Sequence, residues 1–485
     1  LLSVIIIAGI LFQIYKGYFN FEIDHYLTEL YGIRLIHFVI WALLAVFIQT
    51  LFKNYLLGFF VLLLLSIGLN FLPAIGVEQD IFNYNSDPGF DYSDMNGYGH
   101  GLKYYYLYKI YWFLFGLVLF GLALLFWTRG VEQSVKARFA DAKARMNNSI
   151  VIPTLLSLIA FVAIGSTIYY QDNIVNDNKS AKEQELEMVS WEKKYKKYDH
   201  KDQPRIIDVK VDVDLFPKER NFVANGVYTL KNKTKNNIDT LYVNHGGDAK
   251  VSFNVKTKLI SKDTVLNFDI YRLEKPLVAG DTMQMKFTVK NKPNNLFTDN
   301  SPVIYNGTFI NNRIFPALGY TDQGELMDDD VRKKYGLKPR ERMALPTDSI
   351  ARKNTYVSSD ADWITFETTI STSSDQTAIA PGYLTKKWTK NDRNYFHYKM
   401  DRKMLNFYAF QSAKYEIKRD KWKNINIEIY YHKGHEYNID RMIKGVKKSL
   451  EYYTTNFSPY QHKQVRIIEF PRTGGGFAQS FANTI

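Results

Sequence analysis

The sequence predicts a multi-domain protein: an α-helical transmembrane bundle, then an antiparallel β sandwich or saddle domain, then the start of an α+β domain. Long apolar blocks are confined to residues 1–170, a polar–apolar alternation begins near Pro204, and helical spacing returns after residue 420. The 485 residues correspond to several structural units. The absence of cysteine excludes a disulfide framework, thiolate zinc sites and a cysteine nucleophile.

Five apolar blocks indicate membrane-spanning helices in residues 1–170. All but the first have about the 17–25 residues that a helix needs to cross a bilayer core. Their middles are uncharged apart from Lys109, which lies near one end of its block. Bare backbone is costly in lipid, so the blocks are expected to be helical. They are Leu1–Tyr15, Ile33–Leu51, Tyr55–Leu72, Tyr104–Trp127 and Val151–Tyr170.

The charges of the loops predict the orientation of these helices. Thr128–Ile150 is mostly basic, whereas Ala74–Lys103 is acidic apart from Lys103 at its end. Because basic loops stay in the cytoplasm, we expect the fifth helix to leave on the opposite side. Everything after Tyr170 is then extracytoplasmic, in a periplasm where the cell has two membranes. Thr128–Asn148 either lies on the cytoplasmic lipid surface as an amphipathic helix or couples to a cytosolic ATPase.

Residues 171–203 are predicted to form a charged helical linker, or stalk. Four lysines at 193, 194, 196 and 197 lie beside Trp191 and Tyr195, and their contact with lipid headgroups is an open alternative. The net charge of +13 would also suit nucleic acid, but no recognised binding module follows the lysines. We therefore expect no nucleic-acid partner.

Residues 204–419 are predicted to form the β domain. In Asp208–Leu215, valine or leucine alternates with charged residues, which is typical of a strand with one buried face. Further strand-like runs follow between turn residues, with a charged surface excursion at Asp322–Ala351. Residues 420–485 then give a strand, an amphipathic helix from Ile439 and a strand at Val465–Phe470. That order indicates a second, mixed domain that is incomplete at Ile485, so we expect an internal piece of a longer polypeptide.

Two clusters resemble ligand sites. HKGHE (His432–Glu436) has two histidines, but the residue four positions after His435 is Ile439, so the H-E-x-x-H zinc pattern is absent and a solvated turn is favoured. The run GGGFAQS lets a peptide approach the backbone closely, and an edge strand there could pair with an extended peptide, although hairpin turns use the same residues. The predicted substrate-binding residues are Gly475, Gly476, Phe477, Ala478, Gln479 and Ser480.

Several runs of the outer half resemble the aminopeptidase N family of zinc metallopeptidases. They are YRLEKPLVAGDTMQMKFTV (Tyr271–Val289), NGTFINNRIFPALGY (Asn306–Tyr320), TAIAPGYL (Thr377–Leu384), FYAFQSAKYE (Phe407–Glu416) and FSPYQHKQVRIIEFP (Phe457–Pro471). The resemblance implies a β domain followed by the entry into a thermolysin-like catalytic domain. In that family a G-A-M-E-N stretch lies along the substrate, and its Glu helps to bind the free amino terminus. Gln479 stands at that position here, and a neutral amide lacks the ionic attraction for an ammonium group.

The order of helices and peptidase-like domain is similar to bacterial fusions of an ABC-transporter permease with such a domain. The resemblance implies a multi-pass protein of the bacterial inner membrane, a separate ATPase subunit, a peptide or protein substrate, and zinc bound by ligands beyond Ile485. A homodimer stays open. Three functions compete: a fused transporter and peptidase, a non-catalytic domain that captures peptides or proteins for the membrane part, and a membrane-anchored peptidase without transport. No catalytic residue or metal ligand is assigned within this chain.

Overall fold

The described chain folds into two compact units. The structure, a computed structural model, describes residues 2–127, 134–246, 248–291, 301–349, 351–353, 357–472, 475–476 and 478–484. The first unit comprises the described residues of Leu1–Phe90 and His100–Ser180. The second comprises those of Asp91–Gly99, Ala181–Asn294 and Asp299–Ile485.

The first unit is helical, as the apolar blocks predict. A π-helical stretch, Thr28–Arg34, joins its second and third helices, and another, Gln171–Val175, extends its last helix. The helices are α1 (Leu2–Tyr15), α2 (Ile23–Leu27), α3 (Leu35–Leu51), α4 (Tyr55–Leu69), α5 (Gly101–Phe126), α6 (Val135–Ala144) and α7 (Asn148–Tyr170).

Among the described residues, three helical stretches are long and apolar enough to cross a membrane. They are Ile23–Leu51, Gly101–Phe126 and Asn148–Val175. The block expected at Tyr55–Leu72 is shorter than predicted, because α4 ends at Leu69 and a short 3₁₀ turn begins at Pro73. With 15 residues, α4 is an apolar helix below the usual spanning length.

Small residues and arginines hold the first unit together. A Cβ atom at Gly121 of α5 would collide with Thr154 of α7, so glycine permits the close approach of these helices. Arg138 of α6 donates hydrogen bonds to the carbonyl oxygens of Thr50 and, at 3.1 Å, Leu51. Cations favour the carbonyl-rich end of a helix, so this contact fixes α6 at the end of α3.

The second unit contains the remaining helices and the strands. The helices are α8 (Ala181–Tyr195), α9 (Asp329–Lys334) and α10 (Ile439–Asn456). The strands are β1 (Arg205–Phe216), β2 (Asn221–Lys231), β3 (Ile238–Asn244), β4 (Lys250–Phe253), β5 (Thr257–Asp263), β6 (Phe268–Leu277), β7 (Thr282–Asn291), β8 (Thr308–Asn311), β9 (Ala317–Leu318), β10 (Ala361–Ser373), β11 (Thr377–Ile379), β12 (Tyr383–Lys390), β13 (Arg393–Lys399), β14 (Met404–Leu405), β15 (Ala409–Ala413), β16 (Tyr415–Trp422), β17 (Ile425–His432) and β18 (Gln464–Ile468).

The β region is not purely antiparallel, which corrects the sequence-based expectation. An eight-stranded sheet has the order β12-β13-β10-β1-β2-β7-β4, with β14 also on β10, and β1 pairs with β10 in parallel. The chain between these two strands is long enough to form the crossover that a parallel pair needs. A four-stranded sheet has the order β5-β6-β3-β9, and a three-stranded sheet has the order β11-β15-β8.

The alternation in β1 produces the main core of the second unit. Val209, Val211, Val213 and Leu215 are at most 2% exposed, and they pack with apolar residues from all three of these sheets. The alternating polar residues of β1 face away from this core, as a half-buried strand requires.

The expected stalk, residues 171–203, is divided between the two units. Helix α8 belongs to the second unit, where Trp191 stacks on Tyr320 and donates a hydrogen bond of 3.1 Å to the carbonyl oxygen of Thr321. On the same helix, Glu192 forms two hydrogen bonds, of 2.6 and 2.8 Å, with the buried guanidinium of Arg332. Arg332 lies in α9, within the stretch expected to be a surface excursion, so that stretch contributes to the interior.

The last part of the chain forms the strand–helix–strand order that its pattern predicts. Strands β16, β17 and β18 make a three-stranded sheet in which β17 and β18 are parallel, with α10 between them in sequence. Ile439, Ile443 and Leu450 of α10 are buried against Ile427 and Val465 of the sheet. Towards the end of α10 the burial is lost, since Tyr453 is 60% exposed and Phe457, the residue after the helix, is 72% exposed.

Candidate functional site

A cavity of about 600 Å³ lies in the second unit, at the carboxyl ends of the parallel strands β17 and β18. Ligands bind in this position in open α/β sheets, because the strand ends leave a crevice beside the helix that connects them. The cavity volume is within the range of small-ligand sites, about 300–1,000 Å³. Its walls are mostly apolar. The lining residues are Phe309, Gln411, Ile429, Tyr430, Tyr431, His435, Tyr437, Asn438, Ile439, Met442, Ile467, Ile468, Glu469, Phe470, Gly475, Gly476, Ala478 and Gln479.

The structure places most of the predicted substrate-binding residues at this cavity. Gly475, Gly476, Ala478 and Gln479 line it, whereas Ser480 is exposed and is not among the lining residues. Phe477 is outside the described residues. Gly475 has a φ of 111°, a backbone conformation that favours glycine. Binding of substrate by these residues stays a prediction.

Asn483 and Thr484 occupy part of the edge of β18 that faces away from β17. The backbone N–H of Arg466 in β18 donates to the carbonyl oxygen of Asn483 at 3.1 Å, and Arg466 forms a parallel bridge with Thr484. The Arg466 side chain is 1% exposed and donates to the carbonyl oxygen of Ala380 at 2.7 Å. This buried anchor fixes the residues that follow the glycine-rich segment.

One histidine at the cavity bridges two carboxylates that are far apart in sequence. The Nδ1 atom of His435 lies 2.5 Å from Oε1 of Glu469, and its Nε2 atom lies 3.1 Å from Oδ2 of Asp94. Partial burial alone would lower the pKa of His435, but the hydrogen bonds and negative charges of Glu469 and then Asp94 outweigh it and raise that pKa. The arrangement therefore stabilises an imidazolium between two carboxylates.

This bridge does not suit a metal ion. A metal ligand must be a neutral imidazole with a free lone pair, whereas both nitrogens of His435 face carboxylates. Elsewhere in the described chain, Asp199, His200 and Glu341 bring three candidate ligand atoms within 4.8 Å of one another. Two of these three residues are exposed, and none lines the cavity. The residues described here thus do not form a zinc site at the cavity, and we derive no step through a metal.

The segment that supplies Asp94 is held to the second unit by further contacts. The side chain of Asn306 donates a hydrogen bond of 2.5 Å to the carbonyl oxygen of Met95, and its backbone N–H donates to Oδ1 of Asn96 at 3.1 Å. Met95 is 5% exposed. The acidic loop Ala74–Lys103 therefore contributes a carboxylate, that of Asp94, beside the cavity.

Gln411 is a polar residue of the cavity that the sequence patterns did not identify. It lies in β15 directly opposite Phe309 of β8, and both residues line the cavity. Gln411 is 5% exposed, and its Oε1 atom is buried without a hydrogen-bond partner. One feature of the sequence could have identified it: Gln411 is an amide within the apolar run FYAFQSA. A buried amide at such a strand position requires a hydrogen-bond partner.

The comparisons with known proteins give no family assignment. No protein-family model matches the chain, and no curated protein matches it. Among solved structures, the M1 zinc metallopeptidase from Deinococcus radiodurans matches with 11% identity and a TM-score of 0.36, over 56% of this chain and 57% of that one. A two-domain M1 zinc metallopeptidase mutant bound to L-tryptophan matches with 12% identity and a TM-score of 0.37, over the same shares. The chain thus spans little more than half of the length of these structures.

Proposed function

We propose that the chain is part of a membrane protein whose second unit binds a peptide in the cavity at the ends of β17 and β18. The observation that carries this proposal is the position of Gly475, Gly476, Ala478 and Gln479 on the wall of an apolar cavity. Apolar walls with a few polar groups are typical of ligand sites. The exposed glycines leave room for a peptide backbone beside them.

The described residues favour capture of a peptide over its cleavage. Gln479 is neutral at the position where the resembled aminopeptidases have a glutamate, so the ionic attraction for a free amino terminus is absent there. His435 is engaged by two carboxylates, which leaves it no free nitrogen for proton transfer. Hydrolysis would need zinc and ligands from outside this chain, as the family resemblance implies.

The helical unit completes the proposed arrangement. Three apolar helical stretches support insertion in a lipid bilayer. We place the second unit on the extracytoplasmic side of a bacterial inner membrane, because the loop between α5 and α7 is basic. The proposal extends to a permease-like role, a separate ATPase subunit and assembly as a homodimer.

Peptide binding by the full chain in lipid nanodiscs tests the proposal. The probe is the fluorescein-labelled peptide Ala-Phe-Leu-Ala-Lys, and the measurement is fluorescence anisotropy. Ala478→Arg places a long charged side chain at the apolar cavity. We expect it to weaken peptide binding at least tenfold, because the arginine side chain would either fill part of the cavity or lose its contacts with water there.

Ser480→Arg is the matched control, because Ser480 is also exposed but does not line the cavity. Its affinity is expected to equal that of the unmodified protein. Equal loss in both variants, or no binding by the unmodified protein up to about millimolar peptide, a free energy weaker than about −4 kcal/mol, would refute the proposal.

A further inference from the structure

Gln411 is a buried amide whose oxygen has no partner within the described protein. Gln411 is 5% exposed, and its Oε1 atom accepts no hydrogen bond. A buried acceptor without a donor costs free energy, because it has lost its hydrogen bonds to water. The side chain shares a sheet face with Phe309, directly opposite on β8, and both residues line the cavity.

A neighbouring glutamine shows that this part of the fold can satisfy a buried amide. Gln376 is 4% exposed; its Oε1 atom accepts a hydrogen bond from Ser412 at 2.7 Å, and its Nε2 atom donates to the carbonyl oxygen of Tyr305 at 2.7 Å. Gln411 lies one residue before Ser412 on β15, but no donor of the described chain is placed to give its Oε1 atom a hydrogen bond. The difference is that Gln411 lines the cavity and Gln376 does not.

The charged groups of the cavity are already paired. Glu469 accepts hydrogen bonds from the backbone N–H of His432 at 2.7 Å and from His435 at 2.5 Å. His435 is also in contact with Asp94. Within the part of the chain that the structure describes, the Gln411 oxygen is the buried acceptor at this cavity that still lacks a donor.

We propose that Gln411 binds the ligand directly, its Oε1 atom accepting a hydrogen bond from a backbone N–H of a peptide with apolar side chains. This inference rests on the proposed peptide binding and specifies how the peptide is recognised. Phe309, Ile439 and Met442 line the same cavity and provide apolar contacts for the peptide's side chains. A site that leaves a buried acceptor unpaired discriminates against ligands that lack the matching donor.

Ester analogues of the peptide test this hydrogen bond. In each analogue of Ala-Phe-Leu-Ala-Lys one backbone N–H is replaced by an ester oxygen, which removes a donor with little change in shape. The unmodified protein is expected to bind one analogue about tenfold more weakly than the all-amide peptide, as for loss of one buried hydrogen bond. Gln411→Met removes the acceptor, so it is expected to bind both ligands with similar affinity.

Two further variants keep the test interpretable. Gln411→Glu retains an acceptor oxygen and is expected to keep the preference for the amide. Asn406→Leu is the matched control, because Asn406 is 6% exposed and has a buried Oδ1 atom without a partner, yet does not line the cavity. Its preference should be unchanged.

The outcomes separate this inference from the proposed function. If the unmodified protein binds the peptide but shows no preference among the ester analogues, Gln411 is not a ligand acceptor. The same conclusion follows if Gln411→Met retains the preference. If the unmodified protein binds no peptide of the set, the proposed function fails, and the role of Gln411 fails with it.

Discussion

The buried ion pair between α8 and α9 allows a quantitative prediction about the stability of the second unit. Two hydrogen bonds of 2.6 and 2.8 Å join Glu192 to Arg332, and the two side chains are 6% and 1% exposed. Glu192→Gln removes the negative charge with little change in shape. Removing one partner of a buried pair costs about 3–5 kcal/mol, because the other charge stays buried without its partner.

The surroundings of Arg332 place the expected loss at the lower end of this range. Glu325 lies 3.9 Å from the guanidinium and would remain after the substitution. At an effective dielectric constant near 20, a charge at that distance contributes an attraction of about 4 kcal/mol before desolvation. We therefore expect Glu192→Gln to lower the free energy of local unfolding of α8 by about 3 kcal/mol.

Hydrogen–deuterium exchange measured by mass spectrometry reports this local free energy for the intact protein in nanodiscs. A loss of about 3 kcal/mol corresponds to exchange of the α8 amides that is roughly 100-fold faster. Glu185→Gln on the same helix is the control. Glu185 pairs with Lys334 at 3.5 Å, with side chains 33% and 60% exposed, so we expect a change below about fivefold. Unchanged exchange in Glu192→Gln would refute the view that this ion pair holds α8 in place.

Two further predictions concern β2 and the histidine bridge. Gly226→Ala should destabilise the second unit by about 1–3 kcal/mol, because the new Cβ atom would collide with the Phe287 ring. Gly445→Ala is the control, because open space surrounds Gly445 in α10, and we expect no loss of stability. Thermal unfolding measures both variants. The raised pKa of His435 predicts a stabilisation that is complete below its ordinary value of 6.5 and is lost as the pH rises through the higher pKa of the folded protein. Thermal unfolding between about pH 6 and pH 9 should therefore show a decline that His435→Gln abolishes, and an equal decline in both proteins would contradict the assignment.

Periodic patterns predicted much of the local structure. The alternation of Asp208–Leu215 corresponds to the buried face of β1, and the helical spacing from Ile439 corresponds to the buried face of α10. Both features depend on residues that are close in sequence. For such residues, the spacing at which apolar side chains recur identifies the kind of element and its buried face. The five apolar blocks predicted helices for the same reason.

Long-range pairing could not be predicted in this way. The parallel register of β1 and β10 joins residues about 150 positions apart, and no local pattern specifies a strand's partner. The burial of α8 depends on Arg332, whose charged neighbours gave that stretch the composition of a surface loop. Charge composition predicts exposure only when the charges have no partner in the interior.

The candidate site was predictable only in part. The glycine-rich segment was identifiable, because residues without side chains are needed where another backbone approaches. The bridge from Asp94 through His435 to Glu469 spans more than 370 positions, and the role of Gln411 depends on a cavity that other strands enclose. Such sites exist only after the distant segments have come together.

Labelling of a single introduced cysteine tests the central claim, an extracytoplasmic peptide-binding cavity, most directly. The chain has no cysteine of its own, so Ser480→Cys provides one reactive thiol, one residue after the lining residue Gln479 and outside the cavity wall itself. A membrane-impermeant maleimide derivative of Ala-Phe-Leu-Ala-Lys is added to intact spheroplasts. Lys143→Cys in α6, which the proposed topology puts on the cytoplasmic side, is the control. The account predicts saturable labelling of Ser480→Cys before lysis, suppressed by excess unreactive peptide, and labelling of Lys143→Cys only after lysis. Labelling of Ser480→Cys only after lysis, or labelling that the unreactive peptide does not suppress, would contradict it.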